Sequence, residues 1–229
     1  MTSFILTCSR HPKIVNLFFW IACIVPALHL SFRYYTNSMG PNPYEFLMNT
    51  SGHCAIIFFI ISYAIVPIRR WATSFCRLAK FRYGKRLSDW NFLIYNRRML
   101  GLNAFYYTLI HVFVYLYFEL DFDIELLIYE LRRYFILVGW AALIILILLA
   151  VTSPKWMQKR LKQKWKKIHR LVDILVILLP LHVYMQSSIP DTYFWTYLFL
   201  CAALLVHRVI VLSIPYFLNA RDNGEEVHR

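Results

Sequence analysis

Six long apolar runs, set off by charged or turn-forming stretches, divide the chain at about 14–32, 51–68, 100–118, 134–152, 168–186 and 192–212. At 1.5 Å of rise per residue each is long enough to cross a hydrocarbon layer of roughly 30 Å as an α-helix. The pattern predicts an all-α polytopic membrane protein, a six-transmembrane-helix bundle forming one domain over residues 1–229. The first run follows Arg10, His11 and Lys13, but its apolar core is too long for a cleavable signal and no small-x-small site follows it, so it is read as the first helix. Pro26 is expected to kink it. The Gly40-Pro41-Asn42-Pro43 stretch reads as a turn-rich loop, and the second helix is expected to open at Ser51 as its N-cap, with Gly52 allowing close helix contact.

Composition changes the picture in one respect, the meaning of the charge. A net charge of +13 would suggest nucleic acid in a soluble protein, but 59% hydrophobic and 18% aromatic residues place this chain in lipid. There the basic residues report topology. With the N-terminus inside, 22 of the 25 Lys and Arg residues fall in inner segments, and only Arg33, Arg132 and Arg133 fall outside. The positive-inside rule therefore predicts both termini in the cytoplasm. The inner segment from Arg69 to Arg98 is the longest connection and mixes basic residues with Trp71, Phe75, Phe81, Tyr83, Trp90 and Tyr95. It is expected to lie along the anionic leaflet as an interfacial helix or to dock a cytosolic electron donor. The outer loop from Glu119 to Glu130 is acidic, and the fourth run carries no ionisable residue and reads as scaffold. Asn49-Thr50-Ser51 matches the glycosylation acceptor pattern, too short a match to carry functional weight.

The candidate chemistry lies in histidines at bilayer depth, where an imidazole is costly unless it finds a partner. Counted from the inner boundary, His111 in the third run lies about 16 Å deep and His182 in the fifth about 21 Å. The two are nearly level. His169 is only about 2 Å deep and about 20 Å from His182 along the axis, so those two cannot share a metal. Two neutral imidazoles on facing helices at one height suit the axial positions of a haem iron, and the alternative is two unrelated histidines bonded to backbone or water. His169 serves a second, inner site or is an interfacial residue. His53 lies near the outer face within reach of a cofactor held there, while His29 reads as a ring reaching for interfacial water.

Other chemistry is thinly represented. Cys8, Cys23, Cys54, Cys76 and Cys201 form no C-x-x-C pair, and no Walker loop, dinucleotide glycine fingerprint or nucleophile–base pattern is present. The chain is not expected to bind NAD(P)H by itself, so electrons for a redox role would have to arrive from something else.

Taken together, Arg97-Arg98-Met99-Leu100-Gly101-Leu102 followed by His111, then Leu149-Ala150-x-Thr152-Ser153 leading through Met157-Gln158, Leu161 and Trp165 to His169, and Pro180-x-His182-x-Tyr184, resemble the MsrQ (YedZ) family. These are the haem-binding membrane subunits of the bacterial MsrPQ methionine sulfoxide reductase system, within the ferric-reductase-like transmembrane superfamily. The resemblance implies a six-helix b-type haem protein of the bacterial inner membrane that also binds FMN. It implies electron transfer from quinol or a cytosolic flavin donor to a periplasmic molybdopterin partner, MsrP, which reduces oxidised methionine in proteins. The family's haem histidines fall on His111, His169 and His182. Two positions depart from the wider pattern: the superfamily's inner histidine on the third helix falls near Arg97, an absence MsrQ proteins share, and Asn49 stands where MsrQ proteins tend to carry histidine, with His53 one turn on. Two other readings stay open, a stand-alone ferric or oxygen reductase subunit, for which the short tail leaves no flavin domain, and a channel or transporter using the histidines as a proton relay.

Overall fold

The computed structural model describes residues 6–8, 10–186 and 192–226, with side chains described to 211. The elements in chain order are α1 (Pro12–Tyr35), α2 (Pro43–Leu78), a 3-10 turn (Leu87–Trp90) leading into α3 (Asn91–Phe118), α4 (Ile124–Glu130), α5 (Tyr134–Val151), α6 (Lys155–Leu161), α7 (Gln163–Ile168), a 3-10 turn (His169–Leu171), α8 (Val172–Gln186) and α9 (Thr192–Glu226). No strand occurs among the described residues. Six of the helical segments are long and apolar enough to cross a membrane. Their outer faces carry large apolar side chains such as Phe18, Ile144 and Phe199, which are 68%, 62% and 73% exposed and would be untenable in water at this density. Because a helix closes its backbone bonds within itself, as lipid demands, the chain is a multi-pass membrane protein.

Two helix pairs form the frame. α2 packs along α3 and α5 along α8; α9 closes against α8 and α2, and α1 lies on α3. The core between them holds Phe58, Tyr63, Leu100, Tyr107, Leu146 and Leu175. Tyr107 is fully buried, stacks on Phe58 at 5.3 Å and donates its hydroxyl to the Cys23 carbonyl at 2.8 Å, tying α1 to the α2–α3 pair.

The helices outrun the apolar windows that predicted them. α2 begins at Pro43, not Ser51, because Asn42 caps it: its side chain accepts from the Glu45 amide at 3.2 Å, with Pro in the first turn. Ser51 sits inside the helix and donates back to the Leu47 carbonyl at 2.6 Å. At the other end α2 runs to Leu78 and α3 starts at Asn91, so the expected long interfacial connection is mostly extended helix. The basic residues there cap backbone: Arg69 Nη2 donates to the Leu87 carbonyl at 2.7 Å and to Asn91 Oδ1 at 2.8 Å, and Arg77 Nε donates to the Lys85 carbonyl at 2.8 Å. Gly84, at φ 86°, turns the chain so that its carbonyl accepts the Trp90 indole N–H at 3.0 Å. The fifth run is also not one straight helix. The helix continues through Pro180, and the interruption falls instead at the 3-10 turn His169–Leu171. The acidic loop contains α4, capped by Asp123, which accepts from the amides of Glu125 and Leu126.

Candidate functional site

A cavity of about 430 Å³ opens between the two helix pairs, walled by Gly52, His53, His111, Tyr115, Gly139 and His182 among mostly apolar neighbours. It is of the size and character that takes a small cofactor. The cavity lies toward the end of the bundle that carries the acidic loop. Of the four histidines expected to serve a cofactor, His53, His111 and His182 line it, and His169 does not.

His111 and His182 are held in the same way by different helices. From α3, His111 Nδ1 bonds the Met48 carbonyl of α2 at 3.0 Å; from α8, His182 Nδ1 bonds the Phe135 carbonyl of α5 at 2.8 Å. In each case a glycine lies four residues after the carbonyl. A Cβ on Gly52 would stand 3.1 Å from His111 Nδ1, and a Cβ on Gly139 would stand 2.9 Å from His182 Cε1. In helical register the amides of Gly52 and Gly139 take one lone pair of the Met48 and Phe135 carbonyls. The missing side chain lets an imidazole reach the second.

The bonds decide the tautomer. A carbonyl only accepts, so Nδ1 carries the proton on both rings and Nε2 keeps an unshared lone pair. Both are neutral imidazoles in the ligating form, each steadied by an outer hydrogen bond to backbone. Among the described residues no three His, Cys, Asp or Glu side chains converge to hold a metal. A pair of imidazoles suits a metal that arrives with most of its coordination already supplied, as a haem iron does. The cavity also holds an orphaned polar atom: the Tyr115 hydroxyl is buried without a hydrogen-bond partner among the described residues, a cost of about 1–3 kcal/mol that a ligand acceptor would relieve.

His53 presents a different chemistry. Its Nδ1 lies 2.9 Å from the Tyr197 hydroxyl of α9, and its ring packs on Tyr193 at 4.7 Å. Asn49, one turn earlier, is part of the cavity wall and lies within α2, not in a loop. His169 lies at the opposite, basic end. Thr152 Oγ1 donates to the Leu148 carbonyl at 2.7 Å, so at 3.2 Å it accepts from His169 Nε2–H. Trp165 stacks on the ring at 4.2 Å and donates its indole N–H to the Thr152 carbonyl at 3.1 Å.

Sequence reasoning missed the contribution of α5. Read as scaffold because it is apolar, it supplies the Phe135 carbonyl and Gly139. Gly139, the lone glycine of that run, was the available signal. Also missed was a polar cluster at the basic end, where Asp173 Oδ1 accepts from Arg208 Nε and from the Tyr63 hydroxyl, both at 2.9 Å.

The chain matches the family described as "Ferric reductase like transmembrane component" over residues 51–180, a stretch that takes in most of both helix pairs. It belongs to that family of ferric-reductase-like transmembrane proteins. Among curated relatives it is 36% identical over 177 residues to the "Protein-methionine-sulfoxide reductase heme-binding subunit MsrQ" of Herminiimonas arsenicoxydans, covering 76% of this chain and 74% of the relative. The MsrQ proteins of Ralstonia nicotianae and Rhizobium meliloti are 32% and 34% identical, over 77% and 83% of this chain and 75% and 82% of their own lengths. Within the wider family, the chain is thus a member of the MsrQ group.

Proposed function

We propose that this chain is the transmembrane electron-transfer subunit of a methionine sulfoxide reductase system, holding a b-type haem between His111 and His182. The observation that supports the reading is the matched pair of Nδ1-to-carbonyl bonds, on two different helices, that hold His111 and His182 in the lining of one cavity with Nε2 left for a ligand. The names of the MsrQ relatives, each a heme-binding subunit, support the same chemistry. When bound, the haem supplies reversible one-electron transfer at its iron.

The chain's own residues do the rest. The Met48 and Phe135 carbonyls fix each ring's rotation and raise the basicity of its Nε2. Ile56, Leu143, Leu146 and Leu179 line the cavity and keep it dry, which favours the less charged state of a bound metal centre. Tyr115 and His53 supply polar contacts on the wall nearest the acidic loop. His169, held by Thr152 and Trp165 at the basic end, serves the side on which electrons arrive.

The wider assignment follows. Both termini lie in the cytoplasm and the membrane is the bacterial inner membrane, as the charge asymmetry supports. Electrons come from quinol or a cytosolic flavin reductase, with FMN as a second cofactor, and leave for a periplasmic MsrP-like molybdopterin reductase. Purified protein should show a haem absorption spectrum, with haem and flavin quantified per chain. A protein that inserts normally but shows no Soret band under haem-replete expression would overturn the reading.

A further inference from the structure

A second cleft, of about 420 Å³, lies between α8 and α9 and shares no residue with the histidine cavity. It follows one stripe of each helix, with Val176 and Pro180 on α8 and Phe194, Leu198, Cys201 and Leu205 on α9, at spacings of three or four. Val176, Phe194 and Cys201 form a buried floor, whereas Ile177 and Leu181 stand exposed at the rim, so the cleft opens outward toward lipid. From Leu205 to Phe194 it runs along about 17 Å of helix, close to the roughly 15 Å that one leaflet contributes to the hydrocarbon layer. An apolar cleft left unfilled forfeits dispersion contacts along its whole length.

One step further toward the basic end, each stripe reaches a charge. Asp173 lies three residues before Val176 and Arg208 three after Leu205, and Arg208 Nε stands 2.9 Å from Asp173 Oδ1. Both side chains are 31% exposed, so the pair is reached from outside the bundle. The Tyr63 hydroxyl also donates to Oδ1, at 2.9 Å, while Oδ2 has no hydrogen-bond partner among the described residues. A guanidinium carries five donors, more than one carboxylate oxygen takes up. The cleft therefore ends in two adjacent opposite charges, each with capacity to spare.

We infer that the α8–α9 cleft and the Asp173–Arg208 pair at its end seat one phospholipid with a zwitterionic ammonium headgroup, phosphatidylethanolamine in kind. An acyl chain lies in the cleft, the phosphate meets Arg208, and the ammonium donates to Asp173 Oδ2. Two opposite charges side by side match a headgroup that carries the same two crosswise. An uncharged head on the same tail would meet neither, and a purely anionic head would meet one. Seated there, the lipid braces α8, which carries His182, against α9, whose Tyr197 bonds His53. The site stands independently of the haem reading.

The test places the full chain in nanodiscs of equal parts phosphatidylethanolamine, phosphatidylcholine and phosphatidylglycerol with matched acyl chains. Lipid retained after transfer to detergent is read by native mass spectrometry. Wild type should retain one phosphatidylethanolamine about tenfold over phosphatidylcholine, because choline has no N–H to give. D173N should lower that ratio about threefold or more, since a neutral acceptor replaces a charged one. A202F, which adds a phenyl ring to the cleft wall and leaves the ion pair in place, should lower retention of all three lipids. Equal retention of phosphatidylethanolamine and phosphatidylcholine by wild type, or a preference for phosphatidylglycerol, would overturn the inference without reliance on any variant. Retention unchanged in A202F would overturn it as well, by placing the lipid elsewhere.

Discussion

The two ends of this bundle answer the same physical problem in opposite ways. Toward the acidic loop, polar groups are admitted as neutral imidazoles, each donating to a spare carbonyl lone pair that a glycine uncovers, at Met48 with Gly52 and at Phe135 with Gly139. Toward the basic loops they are admitted as charges, with Asp173, Arg208 and Tyr63 compensating one another. A neutral site needs space and one hydrogen bond per ring, and it keeps a lone pair for a metal. A charged site needs counterions, and any imbalance attracts one. The difference separates an end whose rings are kept neutral by backbone from an end where charge is balanced by charge.

The largest expected effect falls on the neutral end. H111A or H182A should each lower retained haem by about tenfold or more while the protein still inserts, as pyridine haemochrome assays would measure. H53A and H169A should retain most of it, since His53 is engaged by the Tyr197 hydroxyl and His169 lies outside the cavity at the opposite end. Equal loss in all four would erase the distinction between the ends.

A graded steric series sharpens the same point. G139A places a Cβ at 2.9 Å from His182 and should cost more haem than G52A, whose Cβ meets His111 at 3.1 Å. G101A, which meets only Ser62 Oγ at 3.4 Å, should be tolerated. The reverse order, measured as haem per chain, would detach the glycines from the histidines.

At the charged end, D173N should destabilise the protein by about 1–3 kcal/mol, since it weakens a part-exposed ion pair and a hydrogen bond from Tyr63. Thermal unfolding in nanodiscs reads this, and haem content should not change at permissive temperature. H169A should slow reduction from the cytoplasmic side more than it lowers haem content, as stopped-flow reduction with a flavin donor would show. The smallest effect belongs to Y115F: removing an unpartnered hydroxyl should leave the haem-free protein unchanged or more stable by up to about 1 kcal/mol.

Much of the architecture was readable in the pattern of apolar runs, because lipid demands about 18 or more apolar residues wherever a helix crosses it. The same demand explains the errors. Hydropathy marks the lipid-immersed part of a helix, so the start of α2 at Asn42–Pro43 and its run to Leu78 fell outside the window. The near-equal depth of His111 and His182 came from counting residues, and both line one cavity. Their partners did not come from counting, because the groups involved are backbone carbonyls, which every residue has. Only the glycine spacing could have flagged them. The cluster at the basic end was hidden for another reason: the Tyr63–Asp173 bond joins residues 110 apart in sequence, and no local pattern encodes such a contact.

Low-temperature electron paramagnetic resonance of the oxidised protein reports directly on what holds the iron. The expected result is a low-spin ferric signal typical of two imidazole ligands in wild type, lost or converted to high spin in both H111A and H182A. An unchanged low-spin signal in either variant would contradict the assignment of that histidine, and in both would remove the ligand pair on which the electron path is built.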